Sequence, residues 1–175
     1  MKLGLSLAGG GIKGVAHIGA IKALKEEGIS IDYISGTSSG SIVASLYACG
    51  YTTSEMYDIF KKYAKTIKYF DSKNLFKFAK DLIFHRDFRV EGLNSGDSIY
   101  KLARDITYAK GVKLIDEVQM PLLIPAVNIK NEQLYVFYSR DIRGLSNSQV
   151  KYINDIELAG AIRASCSYPR SFFSI

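Results

Sequence analysis

Tyr33-Ile34-Ser35-Gly36-Thr37-Ser38-Ser39-Gly40-Ser41-Ile42-Val43 is the stretch on which the fold turns. Its first half continues a run from Ile29 in which Ile29, Ile31, Tyr33 and Ser35 alternate with Ser30, Asp32 and Ile34, as in a strand. Its second half opens residues 41–49, a run of small and apolar residues closed by Gly50 and read as a helix. Between the two, Gly36-Thr37-Ser38-Ser39-Gly40 has to turn sharply. A Gly-x-Ser-x-Gly turn from strand to helix holds its serine in a strained backbone conformation, with bulk-free flanks because strand and helix pass so closely. The serine then stands at the start of a helix, where free N–H groups and the helix dipole favour developing negative charge. Ser38 is therefore the candidate nucleophile, with Gly36 and Gly40 as its flanking glycines.

Upstream, residues 2–7 read as a short apolar strand, too short and too poorly followed to be a signal peptide. The glycine loop Gly9-Gly10-Gly11-Ile12-Lys13-Gly14 comes next. Residues 15–27 then read as a helix with Ala16, Ala20, Ala23 and Leu24 on one face and Gly28 as its C-terminal stop. Strand, loop, helix, strand, turn, helix is an α/β signature with a mainly parallel sheet. Downstream, 53–68 reads as a helix capped by Thr53 or Ser54, and 97–106 as another, introduced by Asn94-Ser95-Gly96. Residues 120–127 read as a buried strand, 134–138 as a strand reached by a turn near Asn131, and 155–164 as a helix capped by Asn154 or Asp155, before Pro169 breaks the chain. The expectation is one domain, residues 1–175, of three-layer α/β/α architecture.

The glycine loop supports two chemistries. Acyl transfer builds charge on a carbonyl oxygen, which pre-aimed backbone N–H groups stabilise by roughly 3–4 kcal/mol each; consecutive glycines let the backbone present such groups without steric cost. Gly10, Gly11 and the adjacent Lys13 would then form an oxyanion hole, framed by Gly9 and Gly14. The same residues spell Gly9-x-Gly11-x-x-Gly14, a dinucleotide fingerprint, with an acid, Asp32, about twenty residues on. A dinucleotide fold, however, gives no reason for the serine turn at the end of the very next strand. A phosphate-binding Walker loop is excluded, because Val15 follows Gly14.

At this point the chain resembles the patatin-like serine acyl hydrolases. Leu7-Ala8-Gly9-Gly10-Gly11-Ile12-Lys13-Gly14 is similar to that family's glycine motif, and the serine turn follows at the family's spacing. Pro121-Leu122-Leu123-Ile124-Pro125-Ala126 is similar to its central strand, and Ala161-Ile162-Arg163-Ala164-Ser165-Cys166-Ser167-Tyr168-Pro169 to its Ala-x-x-Ala-Ser-x-Ala-x-Pro segment. The resemblance implies hydrolysis of lipid or phospholipid esters through an acyl-enzyme on Ser38, by a serine–aspartate dyad without a histidine, a metal or a cofactor. The family's aspartate sits in an Asp-Gly motif beyond the Ala-Ser-x-Ala-x-Pro segment. This sequence has no Asp-Gly pair and stops six residues after Pro169. The expectation is of a domain lacking its C-terminal part with the catalytic Asp. Asp116, Asp141 and Asp155 lack the family context, and neither His17 nor His85 is positioned by the sequence as a base.

The remaining features narrow the setting. Two cysteines, Cys49 and Cys166, make no disulfide framework and favour a cytoplasmic protein. No stretch is apolar for the eighteen or so residues of a spanning helix. The net charge is +6, and residues 61–89 match it with seven lysines and two arginines against three aspartates. Seven aromatics are interleaved there: Tyr63, Tyr69, Phe70, Phe76, Phe78, Phe84 and Phe88. Such a stretch suits an anionic membrane surface; equally, its aromatics can pack on a core while its lysines face water. No nucleic-acid-binding motif is present. A dinucleotide-binding protein using the Gly9–Gly14 loop and a lipid-binding module without turnover remain alternatives to the enzyme.

Overall fold

A computed structural model describes residues 2–71, 97–140 and 147–167, with only the backbone of 63–71 and 97. Five strands form one sheet in the order β1-β2-β3-β4-β5: β1 (Gly4–Leu7), β2 (Tyr33–Gly36), β3 (Leu122–Asn128), β4 (Gln133–Tyr138) and β5 (Val150–Ile153). Three neighbouring pairs are parallel, and only the β3–β4 hairpin is antiparallel. Among the described residues five α-helices accompany them: α1 (Val15–Glu26), α2 (Ser39–Ala48), α3 (Thr53–Asp71), α4 (Asp97–Tyr108) and α5 (Leu158–Cys166). The α/β class and the mainly parallel sheet expected from the sequence are present. The basic aromatic stretch lies largely outside the described residues, as do His85, Asp141 and Pro169.

Register decides which way each strand faces. Leu7 pairs with Gly36, Ile34 with Leu122, and Ile124 with Phe137. All are buried, so they form one inward face. That face packs on α2 and α5, with α1, α3 and α4 against these helices. Leu123, Pro125, Val136 and Tyr138 point the other way and are half-buried. Helix α2 is buried along its whole run from Ser39 to Leu46, which is why it reads as small and apolar all round rather than amphipathic. Its tight fit fixes the end of β2 relative to every other element.

Four details depart from the sequence reading. In α1 the inward residues are Ile18 and Ile21, with Val15 and Leu24 half-buried, while Ala16, Ala20 and Ala23 are exposed; branched side chains bury more apolar area than alanine and take the core side. The cap of α3 is Thr52, not Thr53 or Ser54: its hydroxyl accepts from the Glu55 N–H, and the Glu55 carboxylate accepts from the Thr52 N–H at 2.7 Å. Helix α5 starts at Leu158 behind Glu157, later than Asn154 or Asp155 implied, and strand β5 carried no strong signal in sequence. No helix among the described residues is long and apolar enough to cross a membrane.

Candidate active site

Ser38 sits between the end of β2 and the first turn of α2 with φ 54° and ψ −125°, a region that non-glycine residues avoid at a cost of about 1–3 kcal/mol. The strain is held from both sides of the residue. The Ser38 carbonyl accepts from the Ser41 N–H at 2.8 Å and from the Ser41 hydroxyl at 2.6 Å. The Ser38 N–H donates to the Ser165 hydroxyl at 3.0 Å, and that hydroxyl donates to the Pro125 carbonyl at 2.7 Å. Ser165, in the last turn of α5, thus ties the serine turn to the central strand β3. The family-like segment 161–169 contains it, but nothing in its spacing marked it as a partner of Ser38.

The glycines are needed for space. A methyl group on Gly36 would lie 2.2 Å from the Gly40 carbonyl oxygen, and one on Gly40 would lie 2.3 Å from the Leu7 carbonyl oxygen. On Gly14 it would lie 2.8 Å from Ser39 Cβ, and on Gly9 3.1 Å from Ser38 Cβ. The strand ends, the loop and the start of α2 therefore meet at backbone contact. This sets Gly9 against Ser38 and Gly14 against Ser39, with Gly10 and Gly11 in the loop between them. Gly11 has φ 57°. Among the described residues no acceptor takes the N–H groups of Gly9, Gly10 or Gly11. Lys13 is exposed on the 3-10 turn Gly11–Gly14. The loop can offer donors next to a serine hydroxyl at the positive end of a buried helix.

Other side chains are assigned by their partners. His17 reaches back from α1 to the Ala8 carbonyl, with Nε2 at 2.8 Å. A carbonyl only accepts, so Nε2 carries the proton there and is not free to take one from Ser38. Cys166 lies next to the site, and burial pushes its thiol up to about 11 against the smaller pull of the Ser41 and Ser38 hydroxyls. It is a neutral thiol at physiological pH and no rival nucleophile. Asp32 accepts from the Leu3 N–H at 2.7 Å, at the start of β1. The glycine loop leaves the other end of that strand, about 13 Å away for four extended residues, so Asp32 is not placed to hold a ribose at the loop. Asp116 and Asp155 flank the first turn of α5, about 10 Å along the helix from Ser165, and among the described residues no carboxylate is bonded to Ser38. Nor do the described residues gather a cluster of histidine, cysteine, aspartate or glutamate that could hold a metal ion.

The family model described as patatin-like phospholipase matches residues 5–172. The uncharacterized protein YqhO of Bacillus subtilis is 31% identical over 166 residues, which cover 94% of this chain and 55% of that protein. Lysophospholipase NTE1 of Coccidioides immitis is 33% identical over 165 residues, 94% of this chain and 9% of its own length. Its counterpart in Kluyveromyces lactis is 40% identical over 103 residues, 59% of this chain and 7% of its own. Among solved structures, the heterodimeric ExoU–SpcU complex from the type III secretion system of Pseudomonas aeruginosa aligns with a TM-score of 0.55 at 23% identity, over 95% of this chain and 36% of that one. That is a likeness of fold. The chain thus spans about half of the Bacillus protein and a small part of the NTE1 proteins.

Proposed function

We propose, for a chain that belongs to the patatin-like phospholipase family, that it carries the nucleophile and the oxyanion hole of a lipid acyl hydrolase. The single observation behind this reading is the strained Ser38 at the head of α2, packed at backbone distance against a loop of glycine amides that lack partners among the described residues. Ser38 Oγ attacks the ester carbonyl and its proton leaves to a base. The oxyanion is taken up by the Gly10 and Gly11 N–H groups, with Lys13 nearby and the dipole of α2 behind them. The ester bond breaks, the alcohol departs, and water then releases the acid from the acyl-enzyme. The resemblance implies an aspartate as that base, and among the described residues no carboxylate is bonded to Ser38. The relatives named lysophospholipase NTE1 make a single-chain phospholipid the first substrate to try. The charge of residues 61–89 supports docking at an anionic lipid surface.

The test is a fluorophosphonate probe with intact-mass readout on the full-length protein, alongside Ser38→Ala. One adduct on the parent and none on the variant is the expected result. A full-length, folded protein that takes up no probe would overturn the reading and favour a binding module.

A further inference from the structure

A glycine loop is an unreliable donor array unless something fixes its peptide planes, because glycine has more backbone freedom to lose than any other residue. A trans peptide is planar, with C=O and N–H pointing in opposite directions, so a hydrogen bond to one carbonyl also sets the direction of the next residue's N–H. Three planes of this loop are held in that way. The Thr37 N–H donates to the Leu7 carbonyl at 3.0 Å, which sets the Ala8 N–H. The Lys13 N–H donates to the Gly10 carbonyl at 3.1 Å, which sets the Gly11 N–H. The third carbonyl, that of Ala8, takes its bond from the His17 side chain at 2.8 Å.

We infer that His17 is a positioning residue for the oxyanion loop: by donating from Nε2 to the Ala8 carbonyl it holds the Ala8–Gly9 peptide plane and aims the Gly9 amide alongside Ser38. The inference rests on the acyl hydrolase reading for its catalytic meaning. Gly9 is the loop residue whose missing side chain would lie 3.1 Å from Ser38 Cβ and 3.9 Å from Ser38 Oγ, so a turn of this one plane is felt at the nucleophile. His17 is well placed for the task because it sits in the first turn of α1, a helix held in the core by Ile18 and Ile21. The bond also survives protonation, since Nε2 donates in the neutral and the charged ring alike. His17 therefore acts through geometry and not as a base.

The test compares His17→Phe, which keeps a ring and loses the donor, with His17→Gln, which keeps an N–H donor. His17→Phe is expected to slow fluorophosphonate labelling of Ser38 and kcat on a lysophospholipid by roughly 10- to 100-fold, below the loss of a whole oxyanion donor, with KM and the thermal midpoint little changed. His17→Gln should recover most of the rate, and its pH–rate profile should keep the shape of the parent's. Labelling of His17→Phe at the parental rate, or a His17→Gln as slow as His17→Phe, overturns the inference. Amide resonances give a reading independent of turnover: in His17→Phe the Gly9 signal should shift while that of Ile21 holds. An unmoved Gly9 signal also overturns it. If the parent itself takes up no probe, the Ser38 reading has failed, and the resonances still decide the role of His17.

Discussion

The Ser165 hydroxyl takes the hydrogen bond of the Ser38 N–H at 3.0 Å and gives its own proton to the Pro125 carbonyl at 2.7 Å, joining residues 127 and 40 positions apart in the chain. Two consequences follow for the nucleophile. Its N–H is already used, so it is not among the donors open to an oxyanion. Its strained backbone is anchored from α5 as well as from α2.

Ser165→Ala removes the acceptor and leaves the half-buried Ser38 N–H without a partner, at a cost of about 1–3 kcal/mol. It should also let Ser38 relax from its strained conformation. Both effects are expected together: a lower midpoint in urea unfolding and slower fluorophosphonate labelling. Ser165→Thr keeps the hydroxyl and should recover the labelling rate more fully than the stability, because its extra methyl has to fit against β3. Equal labelling of Ser165→Ala and parent would show that the bond does not hold the nucleophile.

Two glycine-to-alanine changes should move stability in opposite directions. In Gly40→Ala the new methyl would meet the Leu7 and Ala8 carbonyl oxygens at 2.3 and 2.7 Å. Neither is the end of a flexible side chain, so the start of α2 has to move, at a cost of ~3 kcal/mol. Gly19 lies on the exposed face of α1 with nothing within 4 Å of an added methyl. Gly19→Ala should therefore stabilise the protein by about 1 kcal/mol through helix propensity alone. Denaturant melts of the two variants check both signs.

Glu157, at the N-terminus of α5, accepts hydrogen bonds from Tyr100 at 2.5 Å and Tyr108 at 2.6 Å, both from α4. Bonding to the carboxylate is the main reason that both phenols are held above their ordinary range, with a smaller push from loss of water. A group whose pKa is raised on folding adds stability that is complete below its unfolded value, near 10 for tyrosine, and is lost as the pH climbs through the folded value. The thermal midpoint should therefore fall above about pH 10. In the double variant Tyr100→Phe/Tyr108→Phe the midpoint should be lower below pH 10 and fall less steeply above it. Comparing the two curves isolates this pair from other tyrosines, such as Tyr47 and Tyr51, which burial also raises. Parallel curves would refute the link.

The elements nearest the site were the most legible in sequence because local sterics dictate them. Gly36 and Gly40 are glycine because backbone passes within contact distance of their Cα atoms, and Gly14 because the Ser39 side chain does; a strand that runs into Gly-x-Ser-x-Gly has few ways to continue. The order of strands and helices, the parallel sheet and the meeting of the glycine loop with Ser38 all follow from that short-range logic. Local pattern failed where the decisive contact was long-range. It grouped Ala16, Ala20, Ala23 and Leu24 on one face of α1, whereas packing buried Ile18 and Ile21 and left only Leu24 of that group half-buried. It passed over β5, whose four residues are defined by pairing with β4. It also left His17 and Ser165 without roles, because a histidine or serine inside a helix looks alike whether it is idle or bonded. Sequence alone determined that this chain builds a strained serine beside a glycine loop, since both are consequences of the residues within each turn. Only the tertiary structure decided what holds them there, the Ala8 carbonyl on His17 and the Ser38 amide on Ser165, because a hydrogen bond across elements exists only once packing has fixed both partners to within a fraction of an ångström.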